Sequence, residues 1–483
     1  MQERRNWEAI AAQKRQEQAA HLEAALSTAD THSNENGNSL GPQEVIRKVS
    51  SGQLTAKSIV HAYIAHLTEI MFDDAIKDAE ELDRYFARHG TTIGPLHGVP
   101  VTLKDQFNVK GFDSTIGYVG RAYQPAQDDC ALVKLLRSLG AVVIAKTNLP
   151  QSIMWCETNN PLWGQTTNPI DPRYTPGGST GGEAAMLFCG ASMLSWGTDI
   201  GGSIRIPSHM MGLYGFKPSS ARLPYRGVPV STEGQEHVPS AVGPMARSLD
   251  MIQLAVESVI SKRPWDFDAR CVPIGWRDAI YASTCTRPLT IGVLLDDGVV
   301  RPHPPITRVL RAAIEALRAA GHHIVNWDAR LHAECIEVMD RFYTADGGED
   351  IRTAIAAGGE PFIPHVERLV NRGQPISVYE YWQLNKQKWE LQQAYLDKWD
   401  SIRCPETGQP VDVVLMPPMP HTAVPHGGCR GDLDEWNQKL WVDNKTDMAK
   451  LKLPVGVQLI GRRYEEEKVL AAGKVLDGLL HDN

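Results

Sequence analysis

Residues 130–146 read CALVKLLRSLGAVVIAK. Leu132, Leu135, Leu136 and Leu139 recur at helical spacing, Gly140 stops the run, and Ala141 to Lys146 (AVVIAK) is apolar up to its final lysine. An apolar run of that length after a helix reads as a strand buried on both faces, as in a parallel sheet covered by helices. The alternation recurs along the chain. Val99–Leu103 is a short apolar strand that ends at Lys104-Asp105. Later, Leu289–Leu295 reads as a strand, Ile306–Ala320 as a helix and His323–Trp327 as a strand. Asp412–Met416 and Val455–Ile460 add core strands, and Glu465–Leu480 is a closing helix. The expected class is α/β: a single large mixed, mostly parallel β-sheet core with helices on both faces.

Outward from this core, Asp73–Gly90 reads as a helix with Ala75, Ile76, Leu82 and Phe86 inward and a glycine cap. Residues 3–26 read as a surface helix, and Ser27–Ser39 as a polar linker. The expected division is 1–39 for helix and linker and 40–483 for one catalytic domain, because no composition break cuts the core. The helix near Val378–Trp399 places Trp382, Trp389 and Leu396 seven residues apart on one face, an amphipathic pattern.

The 483 residues are 42% hydrophobic and 22% charged, enough apolar material for a large core, and the net charge is −8. A mildly acidic chain is a poor match to nucleic acid or an anionic membrane. The charges between Glu3 and Glu17 leave no apolar leader. The longest uncharged stretch, Ala184–Thr198, is too short for a bilayer and reads as a buried helix followed by a strand. None of the eight cysteines forms a CxxC pair, and no HExxH occurs, so no metal site is expected. Reduced thiols and no leader point to the cytoplasm.

Two glycine-rich serine turns stand out, Gly177-Gly178-Ser179-Thr180-Gly181-Gly182-Glu183 and Asp199-Ile200-Gly201-Gly202-Ser203-Ile204-Arg205-Ile206-Pro207. Neither fits a phosphate loop, since GxxxxGK[ST] and GxGxxG are both absent. Gly201–Arg205 has Arg where a GxSxG elbow needs Gly. A single such turn would be structural. Two in series, each leading into apolar helical sequence, offer an exposed serine flanked by free N–H groups, which acyl transfer requires.

A serine nucleophile needs a base. His209 follows Ser203 by six residues, roughly 9 Å along a helix and on another face. His97, His303, His421 and His426 are further candidates, each read more readily as an ordinary loop or core histidine. Lys104, at the end of an apolar strand, is a candidate of another kind. Burial would lower its pKa and leave a neutral amine as base, although a surface ion pair with Asp105 is the commoner fate of such a strand end.

Leu96 to Asp105 (LHGVPVTLKD), then GGSTGGE, then DIGGSIRIP, in this order and with these gaps, resemble the amidase signature family. Gln151–Asn160, Leu213–Pro218, Glu233–Pro244 and Gly461–Glu467 resemble its fungal general, acetamidase-type members, and the likeness spans roughly residues 40 to 480. It implies Ser203 as nucleophile, Ser179 as a bridging serine after a cis Gly178–Ser179 peptide, and Lys104 as neutral base. The N–H groups of Ile200, Gly201, Gly202 and Ser203 would form the oxyanion hole, and Asp199 with Arg205 would brace that loop.

The implied activity is hydrolysis of a small-molecule carboxamide through an acyl-enzyme on Ser203, with no cofactor; a homodimer is compatible with it. Acyl transfer to another acceptor and a non-catalytic binding role are the alternatives. The second is suggested by the shortened region across Val424–Leu453; the chain is also shorter than relatives near Leu67-Thr68.

Overall fold

The computed structural model describes residues 6–28, 70–429 and 452–481. In chain order its main elements are α1 (Trp7–Thr28), α2 (Phe72–His89), β1 (Pro100–Lys104), α3 (Ala131–Ser138), β2 (Val142–Thr147), α4 (Gly181–Phe188), β3 (Leu194–Asp199), α5 (Arg205–Met211), β4 (Tyr214–Gly215) and β5 (Ala241–Ala246). They continue with α6 (Leu249–Ser261), α7 (Asp278–Thr286), β6 (Thr290–Val293), α8 (Pro304–Ala319), β7 (His323–Asn326), α9 (His332–Tyr343), α10 (Glu349–Gly358), α11 (Pro364–Arg372), α12 (Val378–Ser401), β8 (Val413–Met416), β9 (Gln458–Ile460) and α13 (Glu466–His481).

The α/β class is as expected, a mixed, mostly parallel strand core packed between helices. Among the described residues its ladders form two principal sheets, not one, ordered β2-β1-β3-β5-β4 and β9-β8-β6-β7. In the first, β1 runs parallel to both β2 and β3, and β5 returns antiparallel to β3. The second is parallel at β7, β6 and β8, with β9 antiparallel at its edge. Helix α13 joins them: Leu470 packs in the core of the first sheet and Leu476 in that of the second.

Strand alternation decides what each face of the first sheet carries. Val101 and Leu103 of β1 join Leu194 and Trp196 of β3 in the large core beneath α2, α3 and α6. Thr102 and Lys104 point to the other face, toward α4, and are fully buried there. A strand buried on both faces explains why β1 and β2 read as continuous apolar runs, and why a polar side chain inside one needs a partner.

Helix α2 ends as the sequence predicts, with Gly90 left-handed at φ 67° and its N–H on Phe86 O. Helix α1 forms, but it is docked: Ala11 is buried with Val119, Ala122 and Leu162, and Arg15 Nε donates to Leu162 O at 2.8 Å. Helix α12 turns its apolar stripe outward. Trp382 and Trp389 do share a face, but each is 64% exposed; Leu384 and Trp399, on other faces, are the buried ones. Heptad spacing fixes which residues share a face, not which face meets the core. Most of the 27–39 linker, the Leu67-Thr68 junction and residues 430–451 lie outside the described residues. No described helix is long and apolar enough to cross a membrane.

Candidate active site

The two serine turns meet at the carboxyl ends of β1 and β3, where open α/β sheets place their ligands. Each turn is built by close approach. Gly178 lies against the backbone of Cys156 and Glu157, and a Cβ there would sit 2.9 Å from three of their backbone atoms. The Gly178–Ser179 peptide is cis. Gly202 has φ 124°, a conformation that side chains avoid, and its carbonyl accepts from Ile206 N at 2.7 Å as α5 begins.

Three predicted side chains share this corner. Lys104 Nζ lies 2.6 Å from Ser179 Oγ and 3.2 Å from Thr198 Oγ1. Ser203 is tied to the first turn through its carbonyl, which accepts from Thr180 N at 3.1 Å. Its side chain is half-buried and, among the described residues, makes no protein hydrogen bond, so its hydroxyl is available to a substrate. Catalytic contacts often tighten only once substrate is bound.

Burial pushes the Lys104 amine down to about 7, with Asp199 and then Glu183 partly opposing the shift. No carboxylate lies within 4.0 Å of it among the described residues. An amine in a dry site without an ion-pair partner is a base near neutrality. Thr198 completes its coordination: the threonine hydroxyl accepts from Lys104 and donates to Gln106 Oε1 at 2.6 Å. With one N–H held by Thr198, a neutral amine can turn its lone pair to Ser179; as an ammonium it donates there.

Asp199 and Arg205 pair in a fork, with Nη2–Oδ1 at 2.8 Å and Nε–Oδ2 at 3.0 Å. Asp199 also accepts from Gly202 N at 2.8 Å and Ile204 N at 3.0 Å. Burial opposes its charge, but Arg205 outweighs that and holds the carboxyl well below the usual range. The fork fixes the loop that carries Ser203. It also occupies the Gly202 N–H, one of the four expected oxyanion donors. The N–H groups of Ile200, Gly201 and Ser203 have no protein acceptor among the described residues.

The candidate histidines hold other positions. His209 is buried, with Nδ1 accepting from Gly456 N at 2.9 Å and Nε2 on His421 O at 2.9 Å; burial takes its pKa down to about 4. His97 Nδ1 accepts from Ile93 N, and the His426 ring lies on Pro172 O. His303 and His421 are buried side by side, rings 6.0 Å apart. None of these histidines hydrogen-bonds either serine.

Sequence reading missed Thr198, Gln106 and Glu183. Thr102 could have pointed to the last, because a hydroxyl two residues before Lys104 in a buried strand faces the same side and needs a partner. A group with metal-ligand chemistry that spacing could not reveal is His323, Cys404 and Glu406, whose donor atoms lie within 4.8 Å of one another. They sit at the second sheet, and the Cys404 thiol donates to Glu406 at 2.9 Å.

The sequence profile described as Amidase matches residues 54–470. Amidase 2 of Gibberella moniliformis is 53% identical, over 83% of this chain and 82% of its own. The acetamidase of Emericella nidulans is 34% identical, over 90% and 88%. Among solved structures, a fatty acid amide hydrolase superposes with a TM-score of 0.83 at 29% identity, covering 98% of this chain and 90% of its own.

Proposed function

The chain belongs to the amidase family and is an amide-hydrolysing enzyme; from that premise we propose that it works through a seryl acyl-enzyme made by Ser203, Ser179 and Lys104. Ser203 Oγ attacks the carbonyl carbon of a small-molecule carboxamide. Its proton passes to Ser179 as the Ser179 proton passes to Lys104 Nζ. The oxyanion is held by the N–H groups of Ile200 and Gly201, with that of Ser203, while Gly202 supports them through Asp199. The Lys104 ammonium then returns its proton through Ser179 to the leaving nitrogen, the C–N bond breaks, and ammonia or an amine departs. Water takes the same path against the Ser203 ester and releases the acid.

The observation that carries this reading is the 2.6 Å contact between the fully buried Lys104 and Ser179, with no carboxylate within 4.0 Å of the amine among the described residues. Every group the chemistry needs is a side chain or backbone N–H of this chain. The eight free thiols fit a reducing compartment, the cytoplasm.

A fluorophosphonate tests it. The serine oxygen displaces fluoride, and mass spectrometry locates the adduct. A single adduct on Ser203, lost in Ser203→Ala, supports the reading; an unlabelled Ser203 in folded protein opposes it. Ammonia leaves whichever acceptor takes the acyl group, so release of the free acid from a panel of amides, with no other nucleophile added, separates transfer to water from transfer to another acceptor.

A further inference from the structure

Glu183 closes the first serine turn, yet the chemistry above leaves it unused. It is the third residue of α4, where a carboxylate would ordinarily cap the helix or face water. Here it is fully buried and turned into the sheet. Thr147 Oγ1 of β2 donates to its Oε1 at 2.7 Å, and Thr102 Oγ1 of β1 donates to its Oε2. Thr102 spends its proton on Glu183, so Ser195 Oγ of β3 donates in turn to Thr102 Oγ1 at 2.7 Å. One carboxylate thus holds a hydroxyl from each of two adjacent strands directly, and a third strand through Thr102. The register makes this possible: Thr102 lies opposite Ser195, and Lys104 opposite Thr147. All four side chains therefore stand on the α4 face, and the catalytic amine is two residues from one of the carboxylate's donors.

We propose that Glu183 is the positioning residue for Lys104: it locks the ends of β1, β2 and β3 together beneath the amine and supplies its buried countercharge. This rests on the reading of Lys104 as the base. A carboxylate is acceptor-only when ionised, so the two hydroxyls donating to it, one of them backed by Ser195, favour its charged form and oppose the desolvation of a buried acid. Burial pushes Glu183 up to about 7, and Ser195, Thr102, Thr147 and Lys104 all act against that rise. Glu183 and Lys104 therefore titrate in the same range, each favouring the other's charge.

Of the other charges nearby, Asp199 is the larger influence on Lys104, but it is paired with Arg205, and Lys217 also faces it. Lys146 and Asp105 engage Ser114 and Thr115 instead, on the opposite side of these strands. Among the described residues, Glu183 is thus the carboxylate acting on Lys104 that has no cation within 4.0 Å of it. Its presence keeps the amine from falling too far, so that Lys104 can take and hold a proton during turnover.

The test is the acid limb of kcat/KM, which reports the coupled Lys104–Glu183 pair in the free enzyme. In Glu183→Gln the amine loses a countercharge and the limb moves to lower pH by about one unit. Thr147→Val withdraws one donor from the carboxylate, making it easier to protonate, and moves the limb the same way by less. Thermal melting runs alongside, because a merely structural Glu183 would lower the melting temperature and leave the limb where it was. An unmoved limb overturns the proposal; if Glu183→Gln does not fold, an unmoved limb in Thr147→Val overturns it alone. Failure of the base reading looks different: Lys104→Ala would retain turnover, whatever Glu183 does.

Discussion

Lys104 Nζ and Ser179 Oγ are 2.6 Å apart at the end of β1, and neither side chain is reached by solvent. The contact can move a proton toward nitrogen only when the amine is neutral. Burial brings Lys104 down to about 7, so kcat/KM should rise with pH through that value and level off above it. A pH profile on any amide substrate checks this. A limb near 10, where an exposed lysine titrates, would contradict it.

Thr198 is the next test, because it orients the amine without entering the proton path. Thr198→Val removes the hydroxyl that accepts from Lys104 and donates to Gln106. One buried N–H of the amine then lacks an acceptor, at roughly 1–3 kcal/mol. We expect kcat to fall about tenfold or more with KM little changed. Steady-state kinetics decide it, and an unchanged kcat would show that the hydroxyl does not direct the amine.

Much of this site was legible before the fold was. Lys104 stood out because a cation ending an apolar strand must be paired, exposed or neutral, and its burial pushes the amine down to about 7. Ser179 and Ser203 stood out because glycines surround them, and the contact of Gly178 with Cys156 and Glu157 supplies the physical reason. Glu183, Thr198 and Gln106 stayed hidden because their roles depend on strand register, which aligns Lys104 with Thr147 and Thr102 with Ser195 and leaves no trace in local spacing. The acceptor of the Gly202 N–H stayed hidden for a similar reason: Asp199 serves Arg205 as well, and sequence cannot show one carboxylate dividing itself between a guanidinium and a loop. Helix α12 hid the direction of its Trp382 and Trp389 face, since periodicity carries no information about what packs against it.

The Asp199–Arg205 fork makes a separate prediction. Asp199 is fully buried, so Arg205→Ala leaves an uncompensated charge under the Ser203 loop. Loss of one partner of such a pair costs roughly 3 kcal/mol or more. Chemical denaturation should register that loss, and labelling of Ser203 by a fluorophosphonate should slow because Gly202 and Ile204 lose their fixed acceptor. A variant as stable as wild type would mean that the fork does not hold the loop.

Stability should also report on Lys104. Its folded pKa of about 7 lies below the ordinary 10.5, so between these values the unfolded chain binds the extra proton. Stability therefore rises with pH across that window, and the burden of burying the ammonium is greatest below it. Lys104→Met lacks this titration. It should be more stable than wild type at pH 6, with the difference shrinking toward pH 9. Melting temperatures at the two values check the sign, and a difference that grows with pH would refute it.

The most direct measurement is turnover by Lys104→Ala at neutral pH, with the fold verified by circular dichroism and melting. The account predicts a folded protein whose kcat/KM is reduced by about three orders of magnitude or more, the scale set by loss of a general base. Activity within tenfold of wild type would contradict it, because Ser203 would then be activated by a group other than this amine.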